Sequence, residues 1–457
     1  MKNCILFILL FIFFSGNSQK FPDFKPLRYD EDYQFLQQKK DSASWYKKMK
    51  FLPFTTSGKT YLSLGGDLRY QYFYVDNEGW GEEPEDPDGY ILSRFLFHAD
   101  FHAGKTFRAF LQLQGSEADG KLSASPVDQN PLDLHQAFID LMLLDNDKEK
   151  LLIRTGRQEI SFGSQRLVAV RDGPNNRQSF DAAKVVYEQQ RFRADVFYSH
   201  YVGARKDIFD DKPTNSKKLW GSYLVFKNVP LIHNIDLYYL GYQYDMATFD
   251  DGTENEKRHT SGARIWGKSG GLRYDTEFVY QFGKFGDQNI NAWTASVNTG
   301  YRFSKVKFHP EIGFKGEFIS GDRNYGDNQL QTFNPLFPRG AYFGLAALIG
   351  PSNLIDLHPS VSLELTKNLD WSIDYDIFWR YSIHDGIYAP NVMLIYSGTT
   401  STSKNIGQQL STDLVWNPTD FLYFRGELTW FKAGQYLKDS GPGKDIFFAG
   451  TTVQLKF

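Results

Sequence analysis

Apolar and polar residues alternate along most of the chain from residue 60 onwards. In the first such stretch, 60–75, the apolar positions share one face: Leu62, Leu64, Leu68, Tyr70, Tyr72 and Tyr74. The positions between them are small, polar or charged: Ser63, Gly65, Asp67, Arg69 and Gln71. A period of two indicates a β-strand, and one apolar face opposite one polar face suits a strand that separates lipid from water. The stretches 272–282 and 306–318 show the same contrast.

Segments with this alternation number 18. They span 60–75, 90–103, 105–115, 133–144, 150–160, 178–188, 191–201, 218–227, 235–244, 256–267, 271–282, 289–303, 306–319, 358–366, 370–381, 405–416, 420–432 and 446–457. The links after even segments are short, whereas most links after odd segments are longer, such as 76–89 and 320–357. Short periplasmic turns and long extracellular loops alternate in this way in outer-membrane barrels. The pattern predicts an all-β fold, a transmembrane antiparallel up-and-down β-barrel of about 18 strands.

Composition supports a barrel over a soluble β-sandwich or β-propeller. Hydrophobic residues make up only 41% of the chain, yet aromatic residues reach 17%. A barrel explains both values, because its interior is wet and aromatic girdles edge its lipid-facing band. A sandwich offers no reason for short and long links to alternate.

The N-terminus predicts export. Lys2 precedes an apolar run over 4–14, and small residues at 16 and 18 form a cleavage site, so we expect a signal peptide over 1–18 and a mature start at Gln19. Cys4, the single cysteine, leaves with that peptide, so no disulfide is expected. Residues 19–59 are predicted to form a periplasmic lead-in with a short helix within 30–49, and 60–457 the barrel. The mature formal charge, −3 − 1 = −4 after Lys2 is lost, gives no reason to expect nucleic acid as a partner.

Several motifs resemble the alginate-export family of outer-membrane porins. The first is 156–167, Gly-Arg-Gln-Glu-Ile-Ser-Phe-Gly-Ser-Gln-Arg-Leu, followed by 179–181, Ser-Phe-Asp. The others are Ser-Gly-Asp at 320–322, Thr-Phe-Asn-Pro-Leu-Phe-Pro at 332–338, Asn-Leu at 353–354, His-Pro at 358–359, Phe-Trp-Arg-Tyr at 378–381, Asp-Gly-Ile-Tyr at 385–388 and Ile-Gly at 406–407. The likeness extends from residue 61 to residue 457. It implies an 18-stranded barrel, and in the type member a uronic-acid polysaccharide leaves through an arginine-rich constriction.

Arginine suits a path for anions, because its fork pairs bidentately with carboxylates and stays charged. We call the alternation of inward and outward positions along a strand its parity. On this parity eight arginines face inward: Arg69, Arg94, Arg108, Arg154, Arg193, Arg273, Arg302 and Arg380. The loop 161–178, with three arginines between glycines and a proline, is predicted to fold into the lumen, although a solvated loop is the alternative. The pore-lining residues we predict are Arg69, Arg94, Arg154, Arg166, Asp181, Arg193, Arg380 and Asp385. Luminal charges that pair only for stability are the competing explanation.

No catalytic residue, metal site or cofactor is predicted. His98, Asp100 and His102 alternate on one face, but a polar lumen wall explains them as well. The acidic loop 76–88 lacks the ordered spacing of a calcium loop. The sequence does not contain the zinc-protease motif His-Glu-x-x-His. A TonB-dependent transporter would need a plug domain and 22 strands.

These features predict a porin of the bacterial outer membrane that passes an anionic saccharide or polysaccharide. Uptake of small anionic solutes, or a structural or adhesive barrel acting through its loops, are the alternatives. Expected partners are outer-membrane lipid and lipopolysaccharide, and the barrel-assembly machinery. The last strand, ending at Phe457, resembles the signal that this machinery recognises. A monomer is favoured.

Overall fold

A closed barrel of 18 antiparallel strands forms most of the molecule. The structure, a computed structural model, describes residues 24–38 and 45–457. We number the barrel strands β1 (Thr60–Asp76), β2 (Tyr90–Ala103), β3 (Phe107–Asp119), β4 (Asn130–Asp145), β5 (Glu149–Gln158), β6 (Phe180–Gln189), β7 (Phe192–Gly203), β8 (Lys212–Val229), β9 (His233–Phe249), β10 (Gly252–Ser269), β11 (Leu272–Phe285), β12 (Gln288–Arg302), β13 (Glu311–Ile319), β14 (Leu354–Thr366), β15 (Leu369–Arg380), β16 (Asn405–Trp416), β17 (Leu422–Ala433) and β18 (Ile446–Lys456). The predicted fold class and strand number are confirmed.

The barrel closes between its first and last strands. β1 pairs with β2 on one side and with β18 on the other, in a register that sets Asp67 opposite Lys456 and Asp76 opposite Phe447. Every other strand pairs with its neighbours in the chain. Closure satisfies the backbone hydrogen bonds of both edge strands, which lipid requires because it offers no partner for them.

The two faces of the strands differ as the alternation predicts. Tyr70 is 49% exposed on the outer wall, whereas the neighbouring Arg69 is 4% exposed. Leu68 and Tyr72 are likewise exposed, and Asp67 and Gln71 are buried. Apolar side chains therefore face outwards and polar side chains fill the interior, the reverse of a soluble domain.

Several strand ends depart from the sequence prediction, and two regions show the reasons. β13 begins at Glu311 rather than at 306, because Phe308 and His309 adopt positive φ angles of 65° and 42° in a turn that Pro310 ends. β9 and β10 extend until only residues 250–251 separate them, where a longer loop was expected. Polar residues continue the strands beyond the apolar band, and the alternation criterion misses such extensions.

Two long loops meet inside the barrel. We call residues 159–179, between β5 and β6, L3, and residues 320–353, between β13 and β14, L7. The backbone of Phe337 accepts a hydrogen bond from Ala169 (2.9 Å) and donates one to Leu167 (2.8 Å). The chains approach so closely that a Cβ on Gly340 would lie 2.1 Å from Cδ of Pro174. L3 and L7 thus form a strap across the lumen, and L8 (381–404) packs beside it.

The N-terminal segment enters the barrel from the end with short turns. It holds two 3-10 turns, Arg28–Asp30 and Gln34–Gln38, and a helix, α1 (Trp45–Lys50). Tyr29 is buried against Phe110 and Phe138 on the inner wall. The segment expected to lead into the barrel therefore also occupies part of its mouth. The predicted signal peptide lies outside the described residues and stays a prediction.

Two further helices, α2 (Glu78–Gly81) and α3 (Gln435–Ser440), lie in loops. None of the helices in the described ranges has the length and apolar character needed to cross a membrane.

Candidate functional site

An arginine cluster (Arg69, Arg94 and Arg177) lies where L3 meets the wall formed by β1 and β2. Nη2 of Arg94 lies 2.9 Å from Oδ1 of Asp172 in L3, and Nη1 of Arg177 lies 3.7 Å from it. Arg69 donates hydrogen bonds to the carbonyls of Asp172 (2.5 Å) and Pro174 (2.8 Å). Two guanidinium groups thus face the carboxylate of Asp172, and the third holds the backbone beside it.

The cluster and its carboxylate differ in exposure. Arg69, Arg94 and Arg177 are at most 7% exposed, whereas the side chain of Asp172 is 55% exposed. Asp67 and Glu159 balance part of the positive charge, the first 3.7 Å from Arg94 and the second 2.8 Å from Arg177. The arrangement holds a carboxylate at the surface of the lumen, in contact with water.

Arg166 links both loops to the barrel wall. It pairs with Glu277 on β11 (3.1 Å) and Glu317 on β13 (2.6 Å), and its Nη1 donates to the hydroxyl of Tyr342 in L7 (2.6 Å). Arg166 therefore lies inside the lumen and fastens the strap. Its predicted contact with a solute stays a prediction.

Arg154 and Arg193 line a vestibule of about 980 Å³ at the short-turn end. Arg154 forms a bidentate pair with Asp140 (2.7 Å for both bonds) and covers the ring of Tyr29 at 4.0 Å. Arg193 pairs with Asp195 at 2.7 Å and remains 36% exposed at its side chain. Of the two, Arg193 is the one that water reaches.

Asp181 does not line the lumen, contrary to the prediction. Its neighbour Phe180 points inward and contacts Phe337 of L7, with ring centroids 5.0 Å apart, so Asp181 faces outward. Its carboxylate pairs with Arg157 (2.8 Å) on the outer wall near the long-loop end. The prediction was wrong because it rested on the position of Asp181 in a family-like motif. The alternation of inward and outward residues along the strand would have placed its side chain outside.

Arg380 does point inward but is sealed beneath L8. It is 0% exposed, and its guanidinium donates to the carbonyls of Ser403, Ile383, Asp385, Gly398 and Ser401 at 2.6 to 3.2 Å. Its donors all serve the backbone, so the predicted lining role is wrong.

Asp385 is likewise part of the loop framework. Its carboxylate accepts hydrogen bonds from the hydroxyls of Thr332 and Tyr388 (2.6 Å each) and from the backbone N–H of Asp322 (2.8 Å). It is completely buried, and burial raises its pKa to about 6. Asp385 ties L8 to L7 instead of facing the solute path.

The weaker candidates have structural explanations too. His98 stacks on Phe110 with centroids 5.3 Å apart, and Asp100 is held bidentately by Arg108 at 2.7 Å. His102 lies 3.1 Å from the same carboxylate, so Asp100 already has two side-chain partners.

Sequence reasoning missed Asp172. The signal was present, because Asp172 precedes Gly173 and Pro174 in a loop already predicted to enter the lumen. An Asp-Gly-Pro sequence indicates a turn whose aspartate side chain projects from the backbone. The tyrosine at position 29 had no comparable signal, because nothing in the sequence places the segment before β1 inside the barrel.

Comparisons with known proteins agree on the architecture. A BenF-like porin from Pseudomonas fluorescens Pf-5 superposes with a TM-score of 0.59 at 9% identity, covering 87% of this chain and 98% of that one. Pseudomonas aeruginosa OccK8 (OprE) gives 0.58 at 12% identity, and Pseudomonas aeruginosa OpdK, solved with vanillate, gives 0.58 at 11%, with the same coverage. No curated protein sequence matches this chain.

The family model described as alginate export matches residues 60–445, which is nearly the whole barrel. The motifs that carried the resemblance lie in this range, and many of them build L3, L7 and L8. With its closed 18-stranded barrel, the chain belongs to the alginate export family and is a porin of the bacterial outer membrane.

Proposed function

We propose that this porin passes small carboxylate-bearing solutes, with uronic acids and short uronate saccharides as the class. The observation that carries the proposal is the carboxylate of Asp172, held by Arg94 and Arg177 yet open to the lumen. A side-chain carboxylate on a loop occupies the position that a solute carboxylate would take. The arginine cluster therefore has the geometry of an anion subsite.

Passage requires binding that is favourable but shallow. Asp172 keeps the binding of a solute weak, because its carboxylate competes with the solute carboxylate for the same guanidinium groups. The cluster also concentrates positive charge locally, although the whole chain is slightly acidic, and low-dielectric walls focus such a potential. The expected consequence is anion selectivity set by one wall of the lumen.

The strap favours small solutes over a polymer. Cavities of about 470 Å³ and 980 Å³ lie on its two sides, the first lined by L7 residues such as Phe337 and the second by Arg154 and Arg193. A polymer would have to displace backbone-paired loops. The family description names alginate, a polyuronate, and OpdK was solved with vanillate, an aromatic carboxylate. Carboxylate chemistry is common to both.

The test is a pair of opposite substitutions in planar bilayers. Wild type should be anion-selective by reversal potential in a KCl gradient and should be blocked by galacturonate and its short oligomers. Arg94→Gln should lower anion preference, whereas Asp172→Asn should raise it and strengthen the block. We expect changes of up to roughly fivefold, because a charge pair that is open to water is worth at most about 1 kcal/mol.

Arg302→Gln is the matched control, because Arg302 pairs with Glu364 far from L3 and is 45% exposed at its side chain. Its selectivity should equal that of wild type. Cation selectivity in wild type, or a shift in the same direction for Arg94→Gln and Asp172→Asn, would contradict the proposal. A barrel without any conductance would favour the structural or adhesive alternative.

A further inference from the structure

Three potential metal ligands meet on the inner wall beneath L7. Asp356 and His358 lie on β14, and Asp376 lies on the neighbouring β15. One ligand atom from each residue lies within 4.8 Å of the others. The i, i+2 spacing on β14 and the adjacent strand bring all three to the same face, so the backbone of the barrel fixes their positions.

Asp356 is the unusual member of this group. It is 0% exposed, and within the described ranges neither carboxylate oxygen has a hydrogen-bond partner. A buried carboxylate without a partner is costly, because it loses its hydration and gains nothing in return. The residue opposite Asp356 on β13 is Glu317, another carboxylate. Glu317 already pairs with Arg166 (2.6 Å) and Lys315 (3.2 Å).

The surroundings of His358 match those of a metal-bound imidazole. Its Nε2 lies 3.2 Å from Oδ1 of Asp374, and its Nδ1 lies 2.5 Å from Oδ1 of Asp376. A ligating histidine commonly donates its other ring N–H to a carboxylate, which fixes the tautomer. In a metal-bound state Asp374 would accept from Nε2–H, and the metal would replace the proton that now joins Nδ1 to Oδ1 of Asp376.

The second oxygen of Asp376 is also fixed. Nε2 of Gln409 donates to Oδ2 of Asp376 at 3.2 Å, so Oδ1 is the oxygen that faces His358. Phe343 of L7 covers this wall by packing on Phe378 with centroids 5.1 Å apart. Outer hydrogen bonds thus hold His358 and Asp376, and an apolar cover lies over this part of the wall.

The local charge calls for a cation. Five carboxylates line this part of the wall: Glu277, Glu317, Asp356, Asp374 and Asp376. Among the described residues, Arg166 pairs with Glu277 and Glu317 and Lys315 pairs with Glu317, so no arginine or lysine pairs with Asp356, Asp374 or Asp376. We propose that Asp356, His358 and Asp376 bind one divalent transition-metal ion, of which Zn²⁺ is the best-suited member.

The ligand set decides the class of metal. One imidazole and two carboxylates suit Zn²⁺ and its neighbours, whereas Ca²⁺ and Mg²⁺ prefer oxygen ligands alone. Three protein ligands leave a fourth position for water. A cavity of about 300 Å³, lined among others by His358 and Asp374, gives an entry path. The competing explanation for the same geometry is a proton shared between Asp356 and its neighbours.

Cobalt serves as the spectroscopic probe. Full-length protein with a tag free of histidine would be purified in detergent, stripped with chelator and titrated with Co²⁺. We expect one Co²⁺ per barrel with the intense visible bands of a four- or five-coordinate site, displaced by Zn²⁺. Asp356→Asn and His358→Gln should abolish these bands. Asp374→Asn should weaken binding by roughly 10- to 100-fold, as loss of an outer-shell partner does.

Asp140→Asn is the control, because Asp140 is also a buried luminal carboxylate, but one that Arg154 neutralises. It should bind Co²⁺ like wild type. Heat-modifiability on gels would verify that each variant is folded. The metal site would be overturned if Asp356→Asn and His358→Gln both bound Co²⁺ as tightly as wild type does. It would also be overturned if Asp140→Asn lost Co²⁺ binding to the same extent as those two variants. An absence of Co²⁺ bands in wild type would assign the pocket to a shared proton instead.

Discussion

Two buried carboxylates meet where L7 contacts L8. Asp385 accepts hydrogen bonds from Thr332, Tyr388 and the backbone of Asp322, and burial raises its pKa to about 6. Burial raises the pKa of Asp322 to about 7, and the nearby charge of Asp385 adds to the effect. We call this pair the L7–L8 clasp. Both groups bind protons more tightly in the folded loops than in an unfolded chain, where aspartate titrates near 3.9.

The sign of the pH dependence follows from those raised pKa values. Their stabilising contribution is fully present below about pH 4 and is lost as the pH rises through 6 to 7. Amide hydrogen exchange across 320–353, corrected for the intrinsic rate, should therefore be faster at pH 8 than at pH 5. Asp385→Asn, which imitates the protonated acid, should remove much of this difference. Equal protection of the wild-type loops at both pH values would refute the role of the clasp.

Individual residues also mark the limit of sequence reasoning. Strand parity correctly turned Arg69 and Arg94 inward, because a period of two leaves only two choices for a side chain. It could not distinguish Arg94, which faces an exposed carboxylate, from Arg380, whose guanidinium donates to loop carbonyls. That distinction depends on where a loop folds back. The grouping of Asp356 with Asp376 depends on strand register, which one sequence leaves open.

At the scale of elements, the strap depends on one aromatic side chain. Phe337 packs against Phe180, Tyr201 and Tyr242, with centroids 5.0 to 5.8 Å apart, while its backbone pairs with L3. The strands themselves were predictable because lipid on one face and water on the other impose alternation. The strap was harder to predict from the sequence, because its contacts join residues that are far apart in the chain.

Phe337→Ala should loosen the strap. Truncating a buried phenylalanine costs about 3–5 kcal/mol, and this loss would fall on the loops while the barrel stays closed. We expect a larger single-channel conductance and weaker anion selectivity, measured in planar bilayers, with unchanged heat-modifiability. Ile208→Ala, in an exposed loop position (61% exposed), is the control and should conduct like wild type. An unaltered conductance in Phe337→Ala would mean that the strap does not limit passage.

At the scale of the whole molecule, the N-terminal segment joins the two strands at which the barrel closes. Gly66 of β1 and Phe457, just after β18, exchange backbone hydrogen bonds of 2.9 and 3.0 Å. The guanidinium of Arg28 donates to the carbonyls of both residues (2.9 Å each), and its Nε donates to Glu31 (2.8 Å). The segment predicted as a lead-in thus covers the closing seam.

Removing this contact should weaken closure. Arg28→Ala removes one charged donor from each carbonyl, and only that of Phe457 keeps another, from Lys50 at 3.1 Å. The cost is about 1.5–3 kcal/mol for each hydrogen bond that water does not replace. Because the first and last strands separate when a barrel opens, we expect the temperature at which the folded band disappears on unboiled gels to fall. Lys148→Ala, an exposed lysine in a short turn, should leave that temperature unchanged. If both variants open at the wild-type temperature, the seam is held by strand pairing alone and the N-terminal segment serves only to narrow the mouth.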